Sequence, residues 1–425
     1  MPRYFLITLI VLYGISLNSC DTIFGTKNDA MTDEIFEEGR QDPNLIQEDV
    51  GYAALLPFWT EFDEPTDVYV GYDELVYVTD RTGLHVMDRA GRRYVSYALE
   101  GAVAVVQDRN LNVYVAARYD TTVTAVDQDI EWNLPAVYKL KGLNKGLDQT
   151  QVLDIIVHPF RDSSRPTSSS QRVRLNKDSP INDELVEITG LAVLANNQLY
   201  VTRKGPRNQT NQSFAPDNSV LIYQRESSGS ERMVNTTQIR ALNPTTPSLI
   251  SGIGMSAIET FVGPPQRESF SDDRGFLIAQ AEENADIPFR LLWVNVVETP
   301  DGISYIPRSD LIVNDPELAD GFLYDEYKFS RPSGIAFSAD ERNQIFVVDA
   351  GTDSLYLFQS NGREGVPPPA GTGTRKAINV SFGGSGNGPR QFNEPSGVAY
   401  FNRVVFVADK NNNRIARYKL NTDFE

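Results

Sequence analysis

A short unit that recurs along the chain constrains this sequence more than any other feature. In the two clearest copies a Pro-Ser-Gly segment begins a run of β-branched and aromatic residues, and two further runs of the same kind follow at matching offsets. Gly, Asn, Asp and Ser clusters separate the runs, which is the pattern of short strands joined by tight turns. The runs of these two copies are 331–337, 345–349 and 354–358, then 394–400, 405–409 and 413–418. Each copy therefore predicts a small antiparallel sheet.

Four weaker copies precede these two. Their first runs begin near residues 65, 101, 189 and 251, and in the second of them the third run is 123–126. Six units at this spacing, without a long amphipathic helix between them, predict an all-β protein made of repeated sheets.

The Pro-Ser-Gly-Val, aromatic-Val-x-Asp and Asn-x-Arg-Ile segments resemble NHL repeats. The resemblance implies a six-bladed β-propeller of four-stranded antiparallel blades over residues 51–425. The last copy ends after three strands, so we expect the strand-like residues 52–60 to supply its fourth strand and close the ring. The repeated Asp80, Asp349 and Asp409 are expected to accept hydrogen bonds from loop amides rather than to do chemistry.

The chain start has the three-part layout of a secretory signal: Arg3, an apolar run over 4–17, and small or polar residues before Cys20. Leu17-Asn18-Ser19-Cys20 resembles a bacterial lipobox, which implies removal of residues 1–19 and lipidation of Cys20. Residues 20–50 are acidic and weakly apolar, typical of a solvated tether. The expected protein is lipid-anchored in a bacterial cell envelope, at the outer membrane or facing the periplasm.

Charge and composition exclude several functions. The formal net charge is −18, which disfavours a nucleic-acid partner. One cysteine and two histidines cannot build a disulfide framework or a Cys/His zinc site. We expect a monomer without a cofactor, calcium being the one metal left open.

Candidate binding residues come from aligning the copies. The positions equivalent to Ser396 should line the mouth of the central channel, and they are Thr66, Thr189, Ser251, Ser333 and Ser396. Polar insertions at 159–184, 203–218 and 363–391 are expected as loops on one rim. The first carries Arg172, Arg174 and Lys177, a second candidate site for an acidic partner or lipid headgroup.

The sequence shows no catalytic constellation. The favoured hypothesis is a non-catalytic envelope lipoprotein whose propeller binds a protein or glycan partner. The alternative is a calcium-dependent lactonase-like hydrolase or a lyase that uses the channel. Calcium requires six to eight oxygen ligands, and only Asp67, Glu100 and Glu394 lie near the strand starts.

Overall fold

The computed structural model describes residues 50–125, 128–168, 172–209, 214–264, 273–369 and 373–424. These residues form six four-stranded antiparallel sheets. Cys20, the expected signal peptide and nearly all of the expected tether lie outside the described residues.

Each sheet is one blade, and the strands follow one another from the innermost outwards. Blade 1 comprises β2 (Asp67–Val70), β3 (Val76–Asp80), β4 (Gly83–Met87) and β5 (Arg93–Ala98). Blade 2 comprises β6 (Ala104–Gln107), β7 (Val113–Ala125), β8 (Gln128–Lys141) and β9 (Gln151–Val157). Blade 3 comprises β10 (Glu187–Val193), β11 (Leu199–Lys204), β12 (Ser219–Arg225) and β13 (Met233–Gln238).

The other three blades repeat this order. Blade 4 comprises β14 (Met255–Thr260), β15 (Phe276–Gln280), β16 (Leu291–Thr299) and β17 (Gly302–Pro307). Blade 5 comprises β18 (Pro332–Phe337), β19 (Gln344–Asp349), β20 (Ser354–Gln359) and β21 (Phe382–Gly383). Blade 6 comprises β22 (Pro395–Phe401), β23 (Val404–Asp409), β24 (Arg414–Leu420) and β1 (Tyr52–Ala54).

The innermost strands pack against one another in a closed circle, from β2 through β6, β10, β14, β18 and β22 back to β2. Blades 1 and 4 therefore face each other across the central channel. β1 pairs antiparallel with β24, in the register Tyr52 with Leu420 and Ala54 with Tyr418. The sequence prediction of an all-β, six-bladed propeller is confirmed.

Hydrophobic burial lies between the blades. The second strands are buried on both faces because each is covered by the blade on either side, as the runs Val76–Asp80 and Gln344–Asp349 illustrate. Aromatic pairs join neighbouring blades, for example Phe346 stacked on Tyr400 at 5.0 Å between ring centroids. Outer strands such as β17 are largely exposed. Full burial of one large aliphatic side chain contributes roughly 1.5–3 kcal/mol, so these seams supply most of the stability.

The sequence interpretation of blade 2 was wrong in its third strand. The sequence predicts residues 123–126 as that strand, but β7 continues through Ala125 and the third strand is β8. The two strands form a long antiparallel hairpin, and each of them is longer than an ordinary strand. Trp132 and Val123 on this hairpin pack against Val173 of the first insertion.

The three insertions share one rim only in part, which corrects the sequence expectation. The first follows β9 and the second follows β11, and both strands end at the edge where the innermost strands begin. The third follows β20, which runs towards the opposite edge, and the chain returns to pair Phe382 with Leu355. The third insertion therefore begins at the opposite edge, and its last residues return to the edge of the other two, where Arg414 donates to the carbonyls of Asn387 and Gly388.

Candidate functional site

The central channel has two distinguishable ends. The innermost strands all begin at one end, here called the mouth, and finish at the other, the far end. At the mouth, β10, β14, β18 and β22 each carry a β-bulge in which one extra residue stands opposite the second strand. Bulges re-aim the extra side chain, and here that side chain stands at the channel entrance.

Five of the six positions at this entrance carry a hydroxyl group. The ring consists of Thr66, Val103, Thr189, Ser256, Ser333 and Ser396, and all of them line the channel. Four of the five predicted residues lie at the mouth. Ser251 does not: it lies four residues before β14, fully buried, with its hydroxyl oxygen 2.9 Å from the carbonyl oxygen of Ser248 and 3.0 Å from Oε1 of Gln280. Its place in the ring belongs to Ser256.

Four ring hydroxyls hold adjacent blades together. Each donates to the carbonyl of the residue that precedes the next blade's ring position. Thr66 donates to Ala102 at 2.8 Å, Ser256 to Pro332 at 2.6 Å, and Ser396 to Pro65 at 2.7 Å. Ser333 bonds Pro395 in the same way. The repeated Ser or Thr is thus explained by ring closure.

A small residue follows the ring position in five blades because the next blade packs closely against it. A Cβ on Gly334 would lie 2.9 Å from the Cα of Gly397, and one on Gly397 would lie 2.8 Å from the Cα of Asp67. Alanine occupies this position in blades 2 and 4. Blade 1 is the exception, because it places the carboxyl of Asp67 there.

In the seam between blades 2 and 3, Val103 stands in place of a residue with a hydroxyl group. Contacts farther from the channel join these two blades instead. Fully buried Lys139 in β8 pairs with Glu231 of blade 3 at 2.6 Å between Nζ and Oε2. Arg118 of β7 donates to the carbonyl of Glu184, next to the start of blade 3, at 2.8 Å. Arg161 donates to the carbonyl of Met233 at 3.0 Å. Outer contacts thus join the two blades.

The mouth opens into a cavity of about 350 Å³. Behind the hydroxyl ring the wall becomes apolar. Its aliphatic side chains are Val68, Val105, Leu191, Ile258, Ile335 and Val398. The arrangement is a polar entrance above an apolar wall.

Two carboxyl groups from opposing blades face this cavity, Asp67 on blade 1 and Glu259 on blade 4. Burial raises the pKa of Asp67 to about 7, although its carboxylate accepts backbone N–H groups from Val105 and Val68 at 2.9 and 2.8 Å. Burial, followed by repulsion from Asp67, raises the pKa of Glu259 well above its ordinary value. Near neutral pH the cavity therefore favours protonated carboxyls. The sequence prediction begins the first strand of blade 4 near Ser251, which is too early for Glu259 to be recognised as a channel residue.

The far end is crossed by a single side chain. Tyr72 follows β2 in blade 1, and its hydroxyl donates to the carbonyl of Val262 in blade 4 at 2.7 Å. Because blades 1 and 4 are diametrically opposed, the phenol ring spans the channel. The cavity therefore opens at the mouth and is obstructed behind.

The predicted rim cluster is engaged in internal contacts. Arg174 forms a two-pronged pair with Asp217 and also donates to Asp183 at 2.6 Å. Arg172 donates to the carbonyls of Phe160 and Pro166. Lys177 pairs with Glu184 at 3.0 Å and lies over the Trp132 ring. The basic side chains hold the first insertion in place and are not a free basic patch.

A buried ionic network anchors the same insertion. Fully buried Arg203 donates to Asp162 at 2.8 Å and to the Nδ1 of His158 at 2.9 Å. Because Arg203 can only donate, Nδ1 of His158 is the acceptor and its Nε2 faces Asp183 at 3.5 Å. Burial lowers the pKa of His158, which favours the neutral ring. The histidine is part of the core.

The repeated aspartates do the local work predicted for them. Asp349 accepts N–H groups of Ser330, Arg331 and Gly351 at 2.7–2.9 Å. Asp409 accepts the N–H of Asn393 and pairs with Arg414 at 2.7 Å. These side chains order the loops at the mouth.

Two searches of the described residues gave negative findings. No three His, Cys, Asp or Glu side chains in the described ranges are grouped so that they could hold a metal ion. In the same part of the chain, no helix is long and apolar enough to cross a membrane.

A comparison with protein families agrees with the repeat in the last blade. The NHL repeat family model matches residues 392–418, which comprise most of β22, β23 and β24. No match to the sequence was found among curated proteins. The molecule is thus a six-bladed β-propeller. Its last blade carries an NHL repeat.

Solved structures with a similar chain trace include proteins of several kinds. A Bacteroides thetaiotaomicron protein of unknown function is 12% identical with a TM-score of 0.46, covering 89% of this chain and 73% of its own. An auxiliary nutrient binding protein from Bacteroides ovatus is 10% identical with a TM-score of 0.46, covering 90% and 75%. A gluconolactonase from Xanthomonas campestris is 9% identical with a TM-score of 0.44, covering 88% and 91%.

Proposed function

We propose that the protein is a non-catalytic, lipid-anchored binding propeller of the bacterial cell envelope, and that its channel mouth binds a glycan or protein partner. The lipobox-like segment ending at Cys20 supports the anchor. The observation that carries the binding site is the cavity itself, where a ring of hydroxyl oxygens stands above an apolar wall. Sugars present hydroxyl edges and a C–H face, which such a wall complements.

Photo-crosslinking on intact cells tests where a partner binds. Val103 is an exposed ring position without a bridging hydroxyl, so a photoreactive amino acid there leaves the blade-to-blade bonds intact. Asn110, exposed in a far-end turn, is the matched control. We expect crosslinked products from position 103 and none from position 110. Equal products from both positions, or products from position 110 alone, would contradict a site at the mouth.

The anchor has its own test. Metabolic labelling with a clickable fatty acid should label the wild-type protein, and Cys20→Ser should lose both the label and membrane retention. Retention of Cys20→Ser in the membrane fraction would refute anchoring through this residue.

The opposed carboxyls Asp67 and Glu259 favour a second candidate, a calcium-dependent lactonase-like hydrolase or a lyase. Two carboxylates and the ring hydroxyls offer oxygen ligands of the kind that calcium takes. Calcium bound only by the folded protein would raise its melting temperature by mass action. A rise of several degrees between EDTA and millimolar calcium, abolished by Glu259→Gln, would favour this candidate and direct assays to lactones.

A further inference from the structure

The ring hydroxyls of the cavity act towards a ligand as hydrogen-bond acceptors. A hydroxyl has one proton and two lone pairs. The protons of Thr66, Ser256, Ser333 and Ser396 already go to neighbouring carbonyls, and that of Thr189 goes to Thr202 at 3.1 Å. The ring therefore presents lone pairs to anything that enters.

The carboxyl groups add further acceptor oxygens deeper in the cavity. Among the described residues, Glu259 has no hydrogen-bond donor, whereas each oxygen of Asp67 accepts one backbone N–H. The carboxyl of Glu259 extends towards Gly263, near the far end. It is thus an unpartnered acceptor at the inner end of a cavity that Tyr72 obstructs.

Two lysines line the cavity, and both have nearby acids. Lys204 pairs with Glu187 at 3.0 Å between Nζ and Oε2. Lys410 follows β23 at the mouth, and its positive charge helps to lower the pKa of Glu394. The deeper part of the cavity therefore has acidic groups without a cation beside them. A ligand that donates hydrogen bonds completes this wall, and a positive charge on the ligand would favour the ionised form of Glu259.

We propose that the cavity selects a small polyhydroxylated ligand bearing a primary ammonium group, an amino sugar being the matching class. The ammonium binds at Glu259, the hydroxyls donate to the ring oxygens and to Asp67, and the C–H face lies against Ile258 and Val398. This inference rests on the proposed glycan-binding function and names the ligand chemistry. Charge-assisted hydrogen bonds are roughly twice as strong as neutral ones, and this difference is the source of the expected selectivity for the ammonium group.

Isothermal titration of the purified protein with glucosamine, glucose and N-acetylglucosamine at pH 7, where a bound ammonium group favours the ionised form of Glu259, tests the proposal. The two comparison sugars lack the ammonium group. We expect glucosamine to bind at least tenfold more tightly than either. Glu259→Gln, which keeps the shape but cannot ionise beside the ammonium group, should abolish this preference. Glu317→Gln, at an exposed site outside the cavity, should retain it.

The variant is suited to the test because burial disfavours the charged form of Glu259 in the free protein. Glu259→Gln should therefore melt at or above the wild-type temperature, and weaker binding by a folded variant then reports recognition. Circular dichroism of both variants provides the check.

Each remaining outcome overturns the inference in a different way. Equal affinity for glucose and glucosamine would leave the mouth as a glycan site but refute charge selection. Binding of no sugar, with crosslinks from position 103 to a protein, would make the partner a protein. A calcium-dependent rise in melting temperature that Glu259→Gln abolishes would make the occupant a metal ion. Absence of both sugar binding and crosslinks at position 103 would refute the proposed function as well.

Discussion

Substituting Gly334 by alanine tests whether close approach of blades 5 and 6 explains the glycine of the repeat. The new Cβ would lie 2.9 Å from both the Cα of Gly397 and Cγ2 of Val348, and 3.1 Å from the N of Val398. Two of these atoms belong to backbone, so no side-chain rotation relieves the clash. Overpacking of a filled interior costs about 1–3 kcal/mol, and we expect Gly334→Ala to lower the free energy of unfolding by about 2 kcal/mol.

Gly252 provides the matched control because it is also buried but has space. A Cβ there meets Leu242 and Met255 at 3.4 Å, an ordinary contact distance. Removing a glycine from the unfolded chain stabilises a protein by about 0.4–1 kcal/mol where the backbone permits. Urea unfolding followed by the fluorescence of the three tryptophans measures both variants. Equal unfolding free energies for Gly334→Ala and Gly252→Ala would refute the close-approach argument.

Three further predictions concern the same framework. Ser396→Ala removes the donor to the Pro65 carbonyl and should lower the free energy of unfolding by about 1–2 kcal/mol, as measured in urea; no loss would show that the bond does not hold the ring. Asp183→Ala leaves the buried guanidinium of Arg165 without its carboxylate and should cost about 3–5 kcal/mol, with faster tryptic cleavage in the first insertion. Because burial raises the pKa of Asp67 to about 7, the folded state binds its proton more tightly than the unfolded chain, whose pKa is about 4. The unfolding free energy of the wild type relative to Asp67→Asn should therefore fall as the pH rises from about 4 to 7, and a flat difference would contradict the shift.

The architecture can be predicted from the sequence where a sequence motif marks a particular local structure. Pro-Ser-Gly marks the bulge in blades 5 and 6 because the Ser is the extra residue and the Gly meets the next blade. In blade 4 the dipeptide Ser251-Gly252 imitates that motif a few residues early, while the real bulge is Met255-Ser256. Local composition cannot separate the two, since the distinction depends on which strand pairs with β15.

The candidate sites were less predictable because their partners are distant in sequence. Arg174 lies in a visibly basic segment, yet its acids are Asp183 and Asp217, the second of them 43 residues away. Asp67 and Glu259 can be recognised as lining one cavity only when blades 1 and 4 are known to be opposed. Burial and blade order, rather than residue type, decide whether such groups are free to bind.

The side chain of Tyr72 gives the cavity a single entrance. A ligand that enters at the mouth must leave by the mouth, so its residence time depends on access to that face. A protein partner docked across the same face would trap a ligand already inside and block one still outside. Ligand and partner would then bind in a fixed order, with the small molecule first.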